Sequence, residues 1–186
     1  MSSFRAVGLA FLFLCGCWVS PSALAPSAQG PVGLPHRGVL TDAAPLKSKG
    51  AGFRRFRKDD IRYGHPRLVS AITAAAAAVE RNFPGSSDLV VADLSGPRGG
   101  KIPRHRSHRT GRDADLLFYV LSPAGRPLLN TGFDHFGTDG LARTKRDRYV
   151  RIDLDRTWAL VRHLSLNDEA QVQWMFVARW LKALLL

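Results

Sequence analysis

The sequence predicts an α+β fold, a small, mostly antiparallel sheet flanked by helices, and three observations predict it. Residues 67–83, "RLVSAITAAAAAVERNF", are rich in strong helix formers and end at Pro84-Gly85. Extended apolar or alternating runs recur at 88–95 ("DLVVADLS"), 113–121 ("DADLLFYVL") and 148–155 ("RYVRIDLD"). These runs do not alternate with helices in the regular way of βαβ units. With 186 residues and a 45% apolar composition, the chain has room for one domain with a real core.

Taken in order, residues 1–25 read as an export signal. Arg5 supplies the charge, "AVGLAFLFLCGCWV" is an apolar run too short for a comfortable membrane span, and "SALA" offers a small-residue cleavage site. "LCGC" also resembles a lipobox with Cys17 as the acylated residue, so a plain exported protein and an anchored lipoprotein both stand as expectations. Cys15 and Cys17 both fall inside this segment, which leaves the remainder without a thiol for a disulfide. Packing or a metal must hold it together. Residues 26–50, rich in Pro, Gly, Ser and Ala without hydrophobic period, read as a flexible linker in which His36 is solvated. The expected domain is then 51–186.

That domain opens with "GFRRFRKDDIRYGHP", basic with interleaved aromatics. It fits first a solvated edge with two phenylalanines anchored in the core, and second a groove rim or a contact for a polyanion. His65 before Pro66 reads as structural. After the helix and the 88–95 strand, "GPRGG" turns the chain, and "SPAGRP" turns it again after 113–121. "NTGFDHFGTDG" is irregular. "TWALVRHLSL" has helical spacing through Trp158, Val161 and Leu164; "VQWMFV" is a further strand candidate, and "ARWLKALLL" is helical by composition.

The formal charge of +12 would ordinarily suggest nucleic acid as a partner. Export argues against it. Outside the cytoplasm the available polyanions are cell-wall polymers and anionic lipid head groups.

The chemistry concentrates at 105–118, "HRSHRTGRDADLLF". The chain can turn at "RTG" and bring an imidazole and a carboxylate to one cation, and such donors are ordinary zinc ligands. Lys101, Arg104, Arg106, Arg109 and Arg112 would repel charged histidines or a dication unless carboxylates offset them, and Asp113 and Asp115 are the available offset. On a strand those two acids share a face. Asp115 is therefore expected as a direct ligand and Asp113 as a carboxylate behind it, orienting an imidazole or pairing with an arginine. By chemistry alone, a basic surface loop fits the same residues.

"SHRTGRDADLLF" resembles the signature of the penicillin-insensitive murein endopeptidases, met here by Ser107, His108, Gly111, Asp113 and Asp115. "DLSGPRGG", with Asp93, Ser95, Gly99 and Gly100, and the later "RTWALVRHL" and "VQWMFV" are similar to the family in the same order, so the likeness runs from about residue 60 to the end. The resemblance implies a metallopeptidase-like fold and a periplasmic zinc hydrolase that cuts the D-alanyl to meso-diaminopimelyl cross-link of peptidoglycan. It implies His108 and Asp115 as zinc ligands and His105 as a further metal contact, with Arg109 or Arg112 available to hold a wall-peptide carboxylate. The family's third ligand and general base lie on a later H-x-H segment. No H-x-H follows Asp115; His135 and His163 are the histidines beyond it, and neither has a matching neighbour. The expectation is a domain whose closing strand and general base lie past Leu186, which would leave residues 1–186 inactive by themselves. An inactive wall-binding relative and an exported polyanion-binding protein are the alternatives, and no nucleic-acid partner is expected.

Overall fold

A computed structural model describes residues 29–185. The expected export signal, both cysteines and the proposed anchor at Cys17 lie outside the described residues. Among the described residues no helix is long and apolar enough to cross a membrane.

The fold is α+β, with three helices and several small, mainly antiparallel sheets among the described residues. β1 (Pro31–Leu34) and β2 (Arg37–Leu40) form a hairpin, and β3 (Ala44–Pro45) pairs antiparallel with β6 (Tyr63–Gly64). β4 (Lys49–Gly50) and β5 (Phe53–Arg55) pair antiparallel, and β5 runs parallel to β7 (Leu89–Val91). The fourth sheet is antiparallel in the order β10 (Leu141–Arg143), β11 (Tyr149–Ile152), β8 (Val120–Leu121), β9 (Pro127–Leu128).

Helix α1 (Pro66–Asn82) forms where the alanine run predicts it, with Pro66 in its first turn, where a missing N–H costs nothing. Its small buried residues Ala71, Ala75, Ala76 and Ala78 let neighbouring elements approach closely. Helix α2 (Leu154–Ser165) packs against α1 and starts at Asp153, whose side chain accepts a bond from the Arg156 backbone N–H. The main core joins α1, α2 and β7 through Phe53, Ile72, Val79, Val91, Leu94 and Leu160. A second cluster, with Val120, Phe136, Val150, Ile152 and Leu181, lies between the β10-β11-β8-β9 sheet and α3 (Arg179–Leu185).

Three expectations need correction. The stretch expected to be a flexible linker folds from residue 31 onward: Leu40 is 1% exposed and Leu46 is 0% exposed. Apolar residues spaced among Gly and Pro carry no period, yet Leu40 and Leu46 each fill a slot in the core, while Leu34 and Val39 stay exposed. The expected strand over 113–121 shortens to β8; upstream of it, Leu116 makes one antiparallel bridge to Val91. Finally, "VQWMFV" is not a strand. It pairs with no strand among the described residues, and Trp174 and Phe176 stand exposed.

Candidate metal centre

The site is built from the end of β7 and the long loop that follows it. Ala92 N–H donates to Asp115 O (2.8 Å), Asp115 N–H to Asp93 O (2.9 Å) and Leu117 N–H to Val90 O (3.0 Å). This short ladder sets Asp115 beside Asp93 at the edge of the core.

Between them, residues 96–111 loop outward and are pinned from three sides. Leu40 N–H donates to Arg98 O (3.0 Å), Arg109 N–H to Pro35 O (3.0 Å) and His65 N–H to Gly111 O (2.8 Å). The β1–β2 hairpin and the start of α1 therefore hold the histidine-bearing loop in place. Arg112 reinforces the hold, donating from Nη1 to Gly33 O (2.9 Å) and from Nη2 to Pro31 O (2.8 Å). Its guanidinium is thus engaged with β1 backbone, which is a clamp on the hairpin. Arg109 is half-buried, with its Nε enclosed and without a hydrogen-bond partner.

His108 is 4% exposed and sits in the left-handed region at φ 61°. A non-glycine residue there costs about 1 kcal/mol or more, so the surroundings must hold it. Asp113 helps to do so, because its Oδ2 accepts the His108 backbone N–H at 2.9 Å. The ring's Nε2 faces two carboxylates, Asp115 Oδ1 at 3.4 Å and Asp113 Oδ2 at 3.7 Å, while its buried Nδ1 has no partner. Burial works against the imidazolium, but the bond to Asp115 and the charges of Asp113 and Asp115 outweigh it and raise the His108 pKa. The field at Nε2 therefore favours positive charge.

His105 packs on His108 with ring centroids 4.5 Å apart. Its Nε2 lies 2.9 Å from Asp93 Oδ2 and 3.8 Å from Asp115 Oδ2. Ligand atoms of His105, His108 and Asp115 all fall within 4.8 Å of one another. The structure thus brings together the three residues singled out as metal contacts and sets Asp113 where it supports His108.

Sequence reasoning assigned no role to Asp93, which is 1% exposed. Besides His105 it meets Arg57 Nε at 3.1 Å and Arg104 Nε at 3.6 Å. Burial pushes its carboxyl pKa up, but the His105 bond and the two guanidiniums win, and the net shift is downward. The signal that could have found it is an acid inside the apolar run "VVADL", since a core tolerates a carboxylate only with partners. Arg57 in turn lies over the Phe56 ring (4.9 Å) and near Phe133 (5.7 Å), so the basic, aromatic segment at 53–57 buttresses the site.

The remaining histidines stand outside the cluster. His65 precedes α1 and its pKa is lowered, first by burial and then by Arg67. His163 on α2 lies 3.4 Å from Asn82 Nδ2, and the His135 ring is tilted against Trp180 at 5.9 Å.

Two imidazoles and a carboxylate at this spacing are a donor set suited to a divalent cation. A family model described as penicillin-insensitive murein endopeptidase matches residues 31–185, from the first strand to the last helix, whereas no curated protein matches the chain. The match takes in the folded 31–50 segment as well as the histidine loop and α2, and the chain belongs to the penicillin-insensitive murein endopeptidase family.

Proposed function

We propose that this murein endopeptidase is zinc-dependent, acts in the periplasm and cuts the D-alanyl to meso-diaminopimelyl cross-links of peptidoglycan. The observation that carries the metal assignment is the convergence of His105, His108 and Asp115 donors within 4.8 Å, where the two carboxylates facing His108 already favour positive charge. These three residues would hold the ion. Zinc, when bound, supplies a water of lowered pKa and polarises the scissile carbonyl.

The chain's own residues prepare that chemistry. Asp113 holds the His108 backbone in its strained conformation, and burial keeps the imidazole from swinging to solvent. Asp93, anchored by Arg57 and Arg104, fixes the His105 ring. A carboxylate bonded to an imidazole sets its tautomer and ring orientation, and Asp93 does this for His105. The surrounding guanidiniums suit a wall peptide bearing free carboxylates. Of the two arginines singled out from sequence, Arg112 is tied to β1, which leaves Arg109 for that role.

The test is metal analysis of the purified protein with digestion of isolated wall sacculi. We expect about one tightly held zinc, with affinity reduced at least about tenfold in His108→Ala and in Asp115→Ala. Equal zinc content in wild type and both variants would overturn the assignment. Release of fragments other than cross-linked peptides cut at D-alanyl to diaminopimelyl bonds would overturn the substrate.

A further inference from the structure

The β10-β11-β8-β9 sheet has one face in the second core and one face outward. Ala142, Val150 and Ile152 point inward, and Leu141, Arg143, Tyr149 and Arg151 are exposed. The register sets Leu141 opposite Arg151 and Arg143 opposite Tyr149, so cations and apolar side chains alternate across the outward surface. Lys145 and Arg146 occupy the hairpin tip, where Asp147 N–H bonds back to Thr144 O at 2.9 Å. The Arg151 guanidinium reaches the β8–β9 turn, since a Cβ placed on Gly125 would meet its Nη2 at 3.6 Å; exposed Arg126 follows in that turn. Asp147 is bonded to Arg143 and is the acid on this hairpin. Among the described residues no carboxylate pairs with Arg126, Lys145, Arg146 or Arg151. None of these residues belongs to the metal centre.

We infer that this face is a docking surface for an anionic phospholipid bilayer, with the cations of the tip and strands on head-group phosphates and Tyr149 and Leu141 entering the interfacial layer. Charge complementarity argues for a polyanion, because unpaired cations collected on one face create an attractive potential for it. The mixed composition decides which one. Tyr149 is 57% and Leu141 41% exposed, and a purely hydrated polymer gives an exposed leucine no gain. A head-group layer accommodates charge and apolar bulk at once, with tyrosine favoured at that depth. Basic surface also supplements a weak lipid or apolar anchor, which alone binds reversibly.

The experiment measures partition of the full chain onto phosphatidylcholine vesicles and onto phosphatidylcholine mixed with phosphatidylglycerol. The readout is the ratio of the two, in which apolar attraction common to both vesicles cancels, and its change between variants, to which the charges of residues 1–25 contribute equally. The wild type should prefer anionic vesicles, and the preference should fade in high salt. Lys145→Glu with Arg146→Glu should cut the ratio at least about tenfold. Lys145→Ser with Arg146→Ser, which leaves the tip neutral and spares the fold, should cut it by a smaller factor. Tyr149→Ser should weaken anionic-vesicle binding about threefold with charge unchanged. An unchanged ratio in both tip variants overturns the proposal. So does a tip variant that loses retention on purified sacculi but keeps its vesicle preference, since the partner is then the wall polymer. Indifference to Tyr149→Ser, combined with full displacement by soluble polyphosphate, also overturns it.

Discussion

At the scale of single residues, the site is organised by a carboxylate that never has to touch the ion. Asp93 is nearly sealed from solvent, yet its charge is kept by His105, Arg57 and Arg104. A buried anion with partners is stable only while it is ionised, so its contribution must depend on pH. The folded-state pKa is depressed relative to an unfolded value of about 3.9, hence the stabilisation is complete above that value and is lost as pH falls through the lower, folded pKa. Asp93→Asn removes the charge at every pH. Near about pH 7 the variant should be less stable by about 3 kcal/mol, toward the lower end for a broken buried pair because both arginines are partly exposed. Urea unfolding repeated at successively lower pH should show the gap between wild type and variant narrowing as the Asp93 carboxyl takes up its proton. A gap of constant width would mean that shape, and not charge, is what the three partners recognise.

At the scale of elements, legibility in the sequence followed periodicity. Helix α1 announced itself through helix formers and a Pro-Gly stop, and β7, β11 and α2 through apolar spacing. The β1–β2 hairpin did not, because its contribution rests on backbone bonds and on Leu40, and Gly-Pro-rich chain looks alike whether it is loose or pinned. The histidine loop was legible for its chemistry but not for its geometry: the Asp115 segment forms only a bridge to β7, with Asp113 bonded to the His108 backbone instead of lying on a strand. Gly99 joins the two elements. It has φ +67°, and a Cβ there would sit 2.2 Å from Arg109 O and 2.6 Å from Leu40 N, both backbone atoms with little freedom to yield. Gly99→Ala should therefore cost at least about 2 kcal/mol and weaken zinc binding, by pushing the loop off the hairpin. Gly100→Ala is the internal control, since its φ is +76° but a Cβ meets nothing within 4 Å. It should show backbone strain alone, about 1 kcal/mol, with zinc affinity intact. Thermal melts combined with zinc titration of both variants check this; equal loss of affinity would mean that strain, and not contact with the hairpin, governs the loop.

At the scale of the whole molecule, two cores divide the labour. The first, around α1, α2 and β7, carries the ladder that positions Asp93 and Asp115 and the α1 start that holds Gly111. The second, around the four-stranded sheet and α3, carries the exposed basic hairpin and no member of the metal group. Leu181 on α3 is 3% exposed and fills that second cluster against Phe136, Val150 and Ile152. Leu181→Ala leaves a cavity there and should destabilise the protein by about 2–5 kcal/mol. Because the donors are fixed by backbone bonds rooted in the other core, zinc affinity measured well below the melting temperature should stay within about threefold of wild type, a change under 1 kcal/mol. The pairing of a large fall in melting temperature with near-constant affinity is what separate support predicts. A tenfold loss of affinity in Leu181→Ala would show instead that the second core holds the donors in register, through the chain that runs directly from Asp115 into β8.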